Sequence, residues 1–535
     1  MEQVPATEGI QEKGKGTSLP AWLVLSAPLQ HVRCEDEAGT EPMQQHLPRP
    51  GKTRRKWAWL ARGIEITTMA YLGDLRVPYS KQNAQQKAAG MYQACLAFAK
   101  SRRTETHYLV EWMASLDLDL MNKTRLAAVN PVAMMVRSSL DLGVKAVVAV
   151  VLFDRHFEFG KRVMQIEYSK EQAEWLTEWR LSSERNNLND YVSLLREYGF
   201  NSPDDAQLAS KILGYEKELE VITKSQNSSK NVVERTPIRS LDEWEAYFSK
   251  YTNGLYKGSD SIQHERLVVK VLVKLFESKF VGENGLRYLV AWSIYRQLLT
   301  YTVPERLFGK SPVSYQHVKK YCYALVGKVM NRAMKSPYFQ SQVPLEMVDR
   351  AKRMVTRLRS AFRKSLESSS WFTGRGREVA LRKLDNLTSY VGSPDNRLDP
   401  VSLEKHYKPY PDALPDRVFP TWIKALSLST QDVWLDKTTW LYDETEVTAF
   451  YNYNYNTLVV PTSLLQRPFF YPYGLLGLNY GGLGAIAAHE LMHAFDVKGI
   501  TLTEAYQPWN ASDIIKEYTK RALCLRQMHI SVVSR

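Results

Sequence analysis

Residues 489–493 read His489-Glu490-Leu-Met-His493, two histidines four positions apart with a carboxylate beside the first. On a helix, positions i and i+4 share a face, so both imidazoles can reach one metal ion. Neutral imidazole is a natural ligand for Zn2+, at about 2.0–2.1 Å. A zinc ion lowers the pKa of its water from about 15.7 to about 7. Glu490 is placed to accept the proton so released, and the activated water then attacks a peptide carbonyl polarised by the metal. The protonated Glu490 can return its proton to the leaving amine. The alternative is a helix carrying two structural histidines.

For these groups to converge, Ala485–Val497 must be helical, and no glycine or proline interrupts that stretch. Leu483–Ala488 is small and apolar, as a helix buried beneath a cleft should be. Before it, Thr448–Pro461 alternates and ends in a β-branched run, the pattern of a strand. Its Tyr451–Asn456 portion reads as an edge strand near the cleft rather than a nucleic-acid stacking surface. Helical periodicity is predicted around Tyr92–Lys100, over Lys170–Tyr198, His264–Tyr301 and Tyr315–Met334, and as a helix pair over residues 346–384 broken at Gly374 and Gly376. Val144–Phe153, rich in valine, reads as a buried strand. Proline, glycine and aspartate gather over Gly392–Pro420, which places a domain seam there. The expected division is a disordered leader over 1–56, ending in the basic cluster Lys52, Arg54, Arg55 and Lys56, a helical region over 57–420, and a smaller mixed α+β region over 421–535 that holds the zinc site.

The chain has 71 Lys and Arg against 57 Asp and Glu, a net charge of +14, with 44% hydrophobic residues. That composition excludes a disordered chain, a collagen-like repeat and a small disulfide-stapled scaffold. No basic–aromatic motif supports a nucleic-acid partner. The apolar stretch Leu19–Leu29 contains two prolines and is too short to cross a bilayer of about 30 Å, so no transmembrane segment is expected. Cys34, Cys95, Cys322 and Cys524 have no CxxC spacing, which excludes a cysteine zinc site. Sequons at Asn122, Asn227, Asn386 and Asn510 tilt the reading towards a glycoprotein of the secretory route.

Ordered words around the zinc motif are Ala449-Phe450-Tyr451, Val460-Pro461, Leu465-Gln466-Arg-Pro-Phe469-Phe470, Leu478-Asn479-Tyr480-Gly481-Gly482 and His489-Glu490-Leu-Met-His493-Ala-Phe-Asp496. Together they resemble the active-site region of the neprilysin and endothelin-converting enzyme family of zinc metallopeptidases. Met91-Tyr92-Gln93-Ala94-Cys95 and Lys320-Tyr321-Cys322 resemble that family's helical N-terminal region. The resemblance implies a mainly α fold with a smaller α+β part, a two-lobed zinc metallopeptidase of gluzincin type acting on small peptides. It also implies a Cys95–Cys322 disulfide, which suits an oxidising compartment. The location it implies is extracellular or secretory, where family members are often membrane-anchored ectoenzymes.

Two departures stand out. The family places Asn before the Ala of its substrate-binding strand, where this chain has Thr448 before Ala449; a threonine hydroxyl cannot supply both an amide donor and a carbonyl acceptor, so altered substrate binding is expected. A catalytic zinc needs three protein ligands, and the family's third, a Glu nearly sixty residues beyond the motif, falls past Arg535. On that resemblance the partner of Cys524 also lies past Arg535. Asp513 and Glu517 are the substitutes within the chain. The reading that follows is a zinc metalloendopeptidase, with a catalytically incomplete or peptide-binding relative as the alternative.

Overall fold

The computed structural model describes residues 53–101, 103–158, 161–181, 187–202, 204–226, 233–241, 243–308, 314–393, 397–435, 443 and 445–533. The leader expected over 1–56 lies outside them except for its last four residues. These are helical, because a helix begins at Thr53 and runs to Asp74.

The chain divides into two compact units, and it passes between them more than once. The larger comprises Ala61–Ser341 and Asp395–Asp443. Its helix α1 (Ala84–Lys100) begins at a capping box, in which the Asn83 side chain accepts from the Gln86 N–H and the Gln86 side chain accepts from the Asn83 N–H. A four-stranded sheet is formed by β1 (Val148–Glu158), β2 (Lys161–Tyr168), β3 (Val233–Pro237) and β4 (Ser261–Glu265), in the order β1-β2-β4-β3. Helix α2 (Gly282–Leu299) is buried on nearly every side, as its apolar, aromatic sequence requires. Trp292 at its centre stacks on Tyr191 with ring centroids 5.1 Å apart. Helix α3 (Tyr315–Gln342) carries Cys322, disulfide-bonded to Cys95 of α1, the pairing the resemblance implies.

The single cut after residue 420 does not describe this division. Helix Val418–Leu435 sits in the larger unit, while Gln342–Pro394 belongs to the smaller. The reason is visible at the start of that helix. The backbone N–H groups of Val418 and Phe419 donate to the buried carboxylate of Glu105, an acid at the positive end of the helix dipole. Further along, Trp422 stacks on Tyr301 and Trp434 donates its indole N–H to the Leu140 carbonyl.

Among the described residues, the smaller unit comprises 53–60, 342–393 and 445–533. Helix α4 (Leu345–Ser368) buries Met347, Ala351, Met354, Leu358, Phe362 and Leu366, one face at helical spacing. Helix α5 (Gly374–Asp385) follows, so the expected pair breaks over 369–373, with Gly374 in the left-handed region at φ +58°. A three-stranded sheet contains β5 (Thr388–Val391), β6 (Phe450–Asn452) and β7 (Thr457–Val460) in the order β5-β7-β6. Strand β7 is parallel to β5 and antiparallel to β6, and it is buried throughout. The expected strand over 448–461 is thus a hairpin. The Asn452 side chain accepts from the Asn454 N–H and Asn456 adopts a left-handed conformation, so Tyr453–Tyr455 form a 3₁₀ turn. Short asparagine side chains favour such turns over extended chain.

Candidate active site

The candidate site lies on α6 (Ala485–Met492), the end of a continuous helical stretch that starts at Leu476. Between Tyr480 and Gly484 this stretch is a single π turn, a feature often found at functional sites. Gly482 permits it, because a Cβ there would strike the Phe469 carbonyl, and the next residue, Leu483, donates its N–H to that same oxygen at 2.7 Å. Gly484, Ala487, Ala488 and Leu491 form the buried face. That leaves the other face to His489 and His493.

The helix predicted to reach Val497 ends at Met492, and His493–Phe495 tighten into a 3₁₀ turn. The cause is Asp496. Its backbone is extended, and its Oδ1 accepts from the N–H groups of Lys498 and Gly499 at 3.0 and 2.7 Å. Gly499 can approach only because it lacks a side chain; a Cβ would collide with the His493 carbonyl and the Ala494 backbone. Asp496 Oδ2 lies 2.8 Å from His493 Nδ1 and accepts from the Tyr453 hydroxyl at 2.6 Å. Sequence reasoning missed both contacts. The carboxylate at His493+3 was a visible signal, but Tyr453 is hidden in a tyrosine–asparagine repeat.

His489, Glu490 and His493 bring their ligand-type atoms within 4.8 Å of one another, and they are the one cluster of this kind among the described residues. The two imidazole rings stand 4.9 Å apart and nearly perpendicular. His493 Nε2 is 3.9 Å from Glu490 Oε2. Burial pushes the Glu490 carboxyl up to about 7, against the opposing pull of His493 and the Tyr451 backbone N–H. Desolvation and the neighbouring His493 hold His489 below its ordinary value, favouring the neutral ring a metal takes. Burial acts to raise Asp496, but hydrogen bonds from His493, Tyr453 and Gly499 outweigh it and keep the carboxylate ionised. Beneath this loop the buried Lys383 of α5 donates to the carbonyls of Gly499 and Leu502 at 2.7 and 3.2 Å. Desolvation lowers its ammonium to about 8.

Thr448 is exposed and Ala449 buried, both immediately before β6, an edge strand of its sheet. Asp513 and Glu517, the substitute ligands considered above, lie on α7 (Ser512–Val533) and do not join the cluster; Glu517 accepts from Arg521 on the next turn. Cys524 is itself disulfide-bonded, and Cys34 lies outside the described residues. The donor set suits zinc: two imidazoles, one facing a carboxylate through Nδ1, with a second carboxylate beside them.

Two family models, both described as Peptidase family M13, match residues 43–394 and 448–534. Among curated relatives, Neprilysin-3 of Drosophila melanogaster is 22% identical over 389 residues, 65% of this chain and 49% of that protein. Neutral endopeptidase of Lactococcus lactis subsp. cremoris is 35% identical over 151 residues, 28% of this chain and 23% of that protein. The chain therefore spans about half or less of the length of the curated relatives it matches. Among solved structures, the open state of the Mycobacterium tuberculosis zinc metalloprotease ZMP1 superposes with a TM-score of 0.66 at 16% identity, covering 94% of this chain and 78% of that one. That likeness establishes the shared fold.

Proposed function

This chain belongs to peptidase family M13, and from that premise we propose that it hydrolyses peptide bonds in small peptides as a zinc metalloendopeptidase. The observation that carries the reading is the convergence of His489, Glu490 and His493, with His493 clamped by Asp496. His489 and His493 would hold the zinc, which when bound supplies Lewis acidity towards a peptide carbonyl and towards water. Glu490 takes a proton on its carboxylate and delivers it to the departing amine; its side chain, only 14% exposed, limits competition from bulk solvent. The edge of β6, with Ala449 and Thr448 at its entrance, receives the peptide as an added strand. An extracellular or secretory location is supported by the Cys95–Cys322 disulfide, with Asn386 and Asn510 exposed for glycosylation. No helix among the described residues is long and apolar enough to cross a membrane.

A second reading, a peptide-binding relative without turnover, is favoured by one observation: two histidines and the base converge here, and no third ligand joins them among the described residues. Zinc stoichiometry by atomic absorption, followed by cleavage of a fluorogenic peptide, separates the two. The peptidase reading expects about one zinc per chain, abolished in His489→Ala, and turnover. Zinc without turnover supports the peptide-binding relative, and a wild-type chain without zinc sinks the metallopeptidase reading.

A further inference from the structure

We infer that Tyr453 is a positioning residue of the metal site, fixing through Asp496 which nitrogen of His493 is left to bind. The inference rests on the reading that His493 is a zinc ligand, and it deepens that reading.

His493 has two ring nitrogens, and only one of them faces Glu490. Nε2 lies 3.9 Å from Glu490 Oε2, whereas Nδ1 faces Asp496 Oδ2 at 2.8 Å. A neutral imidazole binds a metal through the nitrogen without the proton, so the site works only if the proton resides on Nδ1. Asp496 alone does not guarantee this, because a carboxylate on a loop can rotate and offer its oxygens elsewhere. Its Oδ1 is held by two backbone N–H groups, from Lys498 and Gly499. Its Oδ2 is held by the Tyr453 hydroxyl at 2.6 Å.

The competing geometry is a hydroxyl that donates to His493 Nδ1 instead, which would force the proton onto Nε2 and block the metal. That distance is 3.4 Å, so the shorter, charge-assisted bond to the carboxylate prevails. With the phenol proton committed to Asp496, Oδ2 faces His493 as an acceptor and requires a donor there. The ring therefore keeps its proton on Nδ1 and its lone pair on Nε2.

The phenol is itself fixed. The Asn452 side chain caps the turn that carries Tyr453, and Lys498 lies over the ring at 4.4 Å from its centroid. Lys383 supports the same loop from below through the Gly499 carbonyl. The device is local, built from a hairpin turn and the turn that follows the motif.

The test reads the proton directly. Nitrogen-15 NMR of metal-free wild-type protein should find His493 protonated on Nδ1 and bare on Nε2. In Tyr453→Phe the two tautomers should mix, and Zn2+ affinity, measured by competition with a chelator, should fall roughly fivefold, the scale of one net hydrogen bond. Asp496→Asn should cost more, about 10- to 100-fold. Finding the proton on Nε2 in the wild-type chain overturns the inference without any variant, even if Tyr453→Phe fails to fold. A Tyr453→Phe chain with unchanged tautomer and unchanged affinity overturns it as well. A wild-type chain that takes up no zinc refutes the metallopeptidase reading, and the tautomer populations then decide the role of Tyr453 on their own.

Discussion

Each unit holds a compact polar network built around one carboxylate, and the two networks are opposites in accessibility. In the larger unit Glu216 is 2% exposed and accepts from Tyr191, Trp175 and Gln172, with Arg296 Nη2 3.9 Å away. Arg296 in turn donates to Gln172 and lies over the Trp175 ring. In the smaller unit Asp496 also accepts from a tyrosine and from backbone groups, yet it is about a third exposed and opens onto His493, Glu490 and His489. The first network is sealed around its own charges and presents nothing outward. The second leaves Nε2 of His493 facing a carboxylate, available to a third party. Similar residue types serve stability where the network is closed and, on the proposed reading, chemistry where one position is left open.

Three substitutions probe that contrast. The largest effect is expected from Glu490→Gln, which should lower peptide turnover by about 10²- to 10⁴-fold while zinc content stays at the wild-type level; a progress curve beside atomic absorption reads both. Glu216→Gln should give the inverse pattern. It leaves Arg296 buried without its counter-charge and should cost about 3–5 kcal/mol in a urea melt, with zinc uptake of the folded protein unchanged. Loss of zinc in that variant would break the separation drawn between the networks.

The smallest effect concerns Lys383, whose ammonium sits near 8 in the fold against an ordinary 10.5. Between those values the unfolded chain binds more protons than the native one, so this group adds stability as pH rises through the window. Below about 8 both states are charged and the full desolvation cost persists. Wild type should therefore gain on Lys383→Met between pH 7.5 and pH 10 by urea midpoint. A difference that stays flat with pH would mean that Lys383 keeps its charge in the fold.

Much of this was legible beforehand. The i, i+4 histidines and the small apolar run at Leu483–Ala488 point to a helix buried on one side with both histidines on the other, and the resemblance supplied the Cys95–Cys322 pair. The clamp on His493 was not legible, because it depends on a turn at Tyr453–Tyr455 where alternation suggested strand. Local asparagine bonds overrode the period-2 pattern there. Nor was the interleaving of the units legible: it hangs on Glu105 meeting the start of a helix more than 300 positions later, a pairing that composition along the chain does not encode.

The π turn at Tyr480–Gly484 carries a consequence for how this region tolerates change in length. It acts as a one-residue slip in a screw thread, and each residue added to or removed from a regular helix turns everything downstream by about 100°. Deleting a single glycine from Gly481-Gly482 would remove the extra residue that the turn absorbs and let the thread close into ordinary α-helix with the motif's phase kept. Deleting one residue from the regular stretch Ala485–Ala488, by contrast, would preserve every letter of His489-Glu490-Leu-Met-His493 and rotate the pair by more than a quarter turn towards the interior now filled by Ala487 and Leu491. The phase of the reactive face is thus set upstream of the motif, by a count of residues rather than by their chemistry.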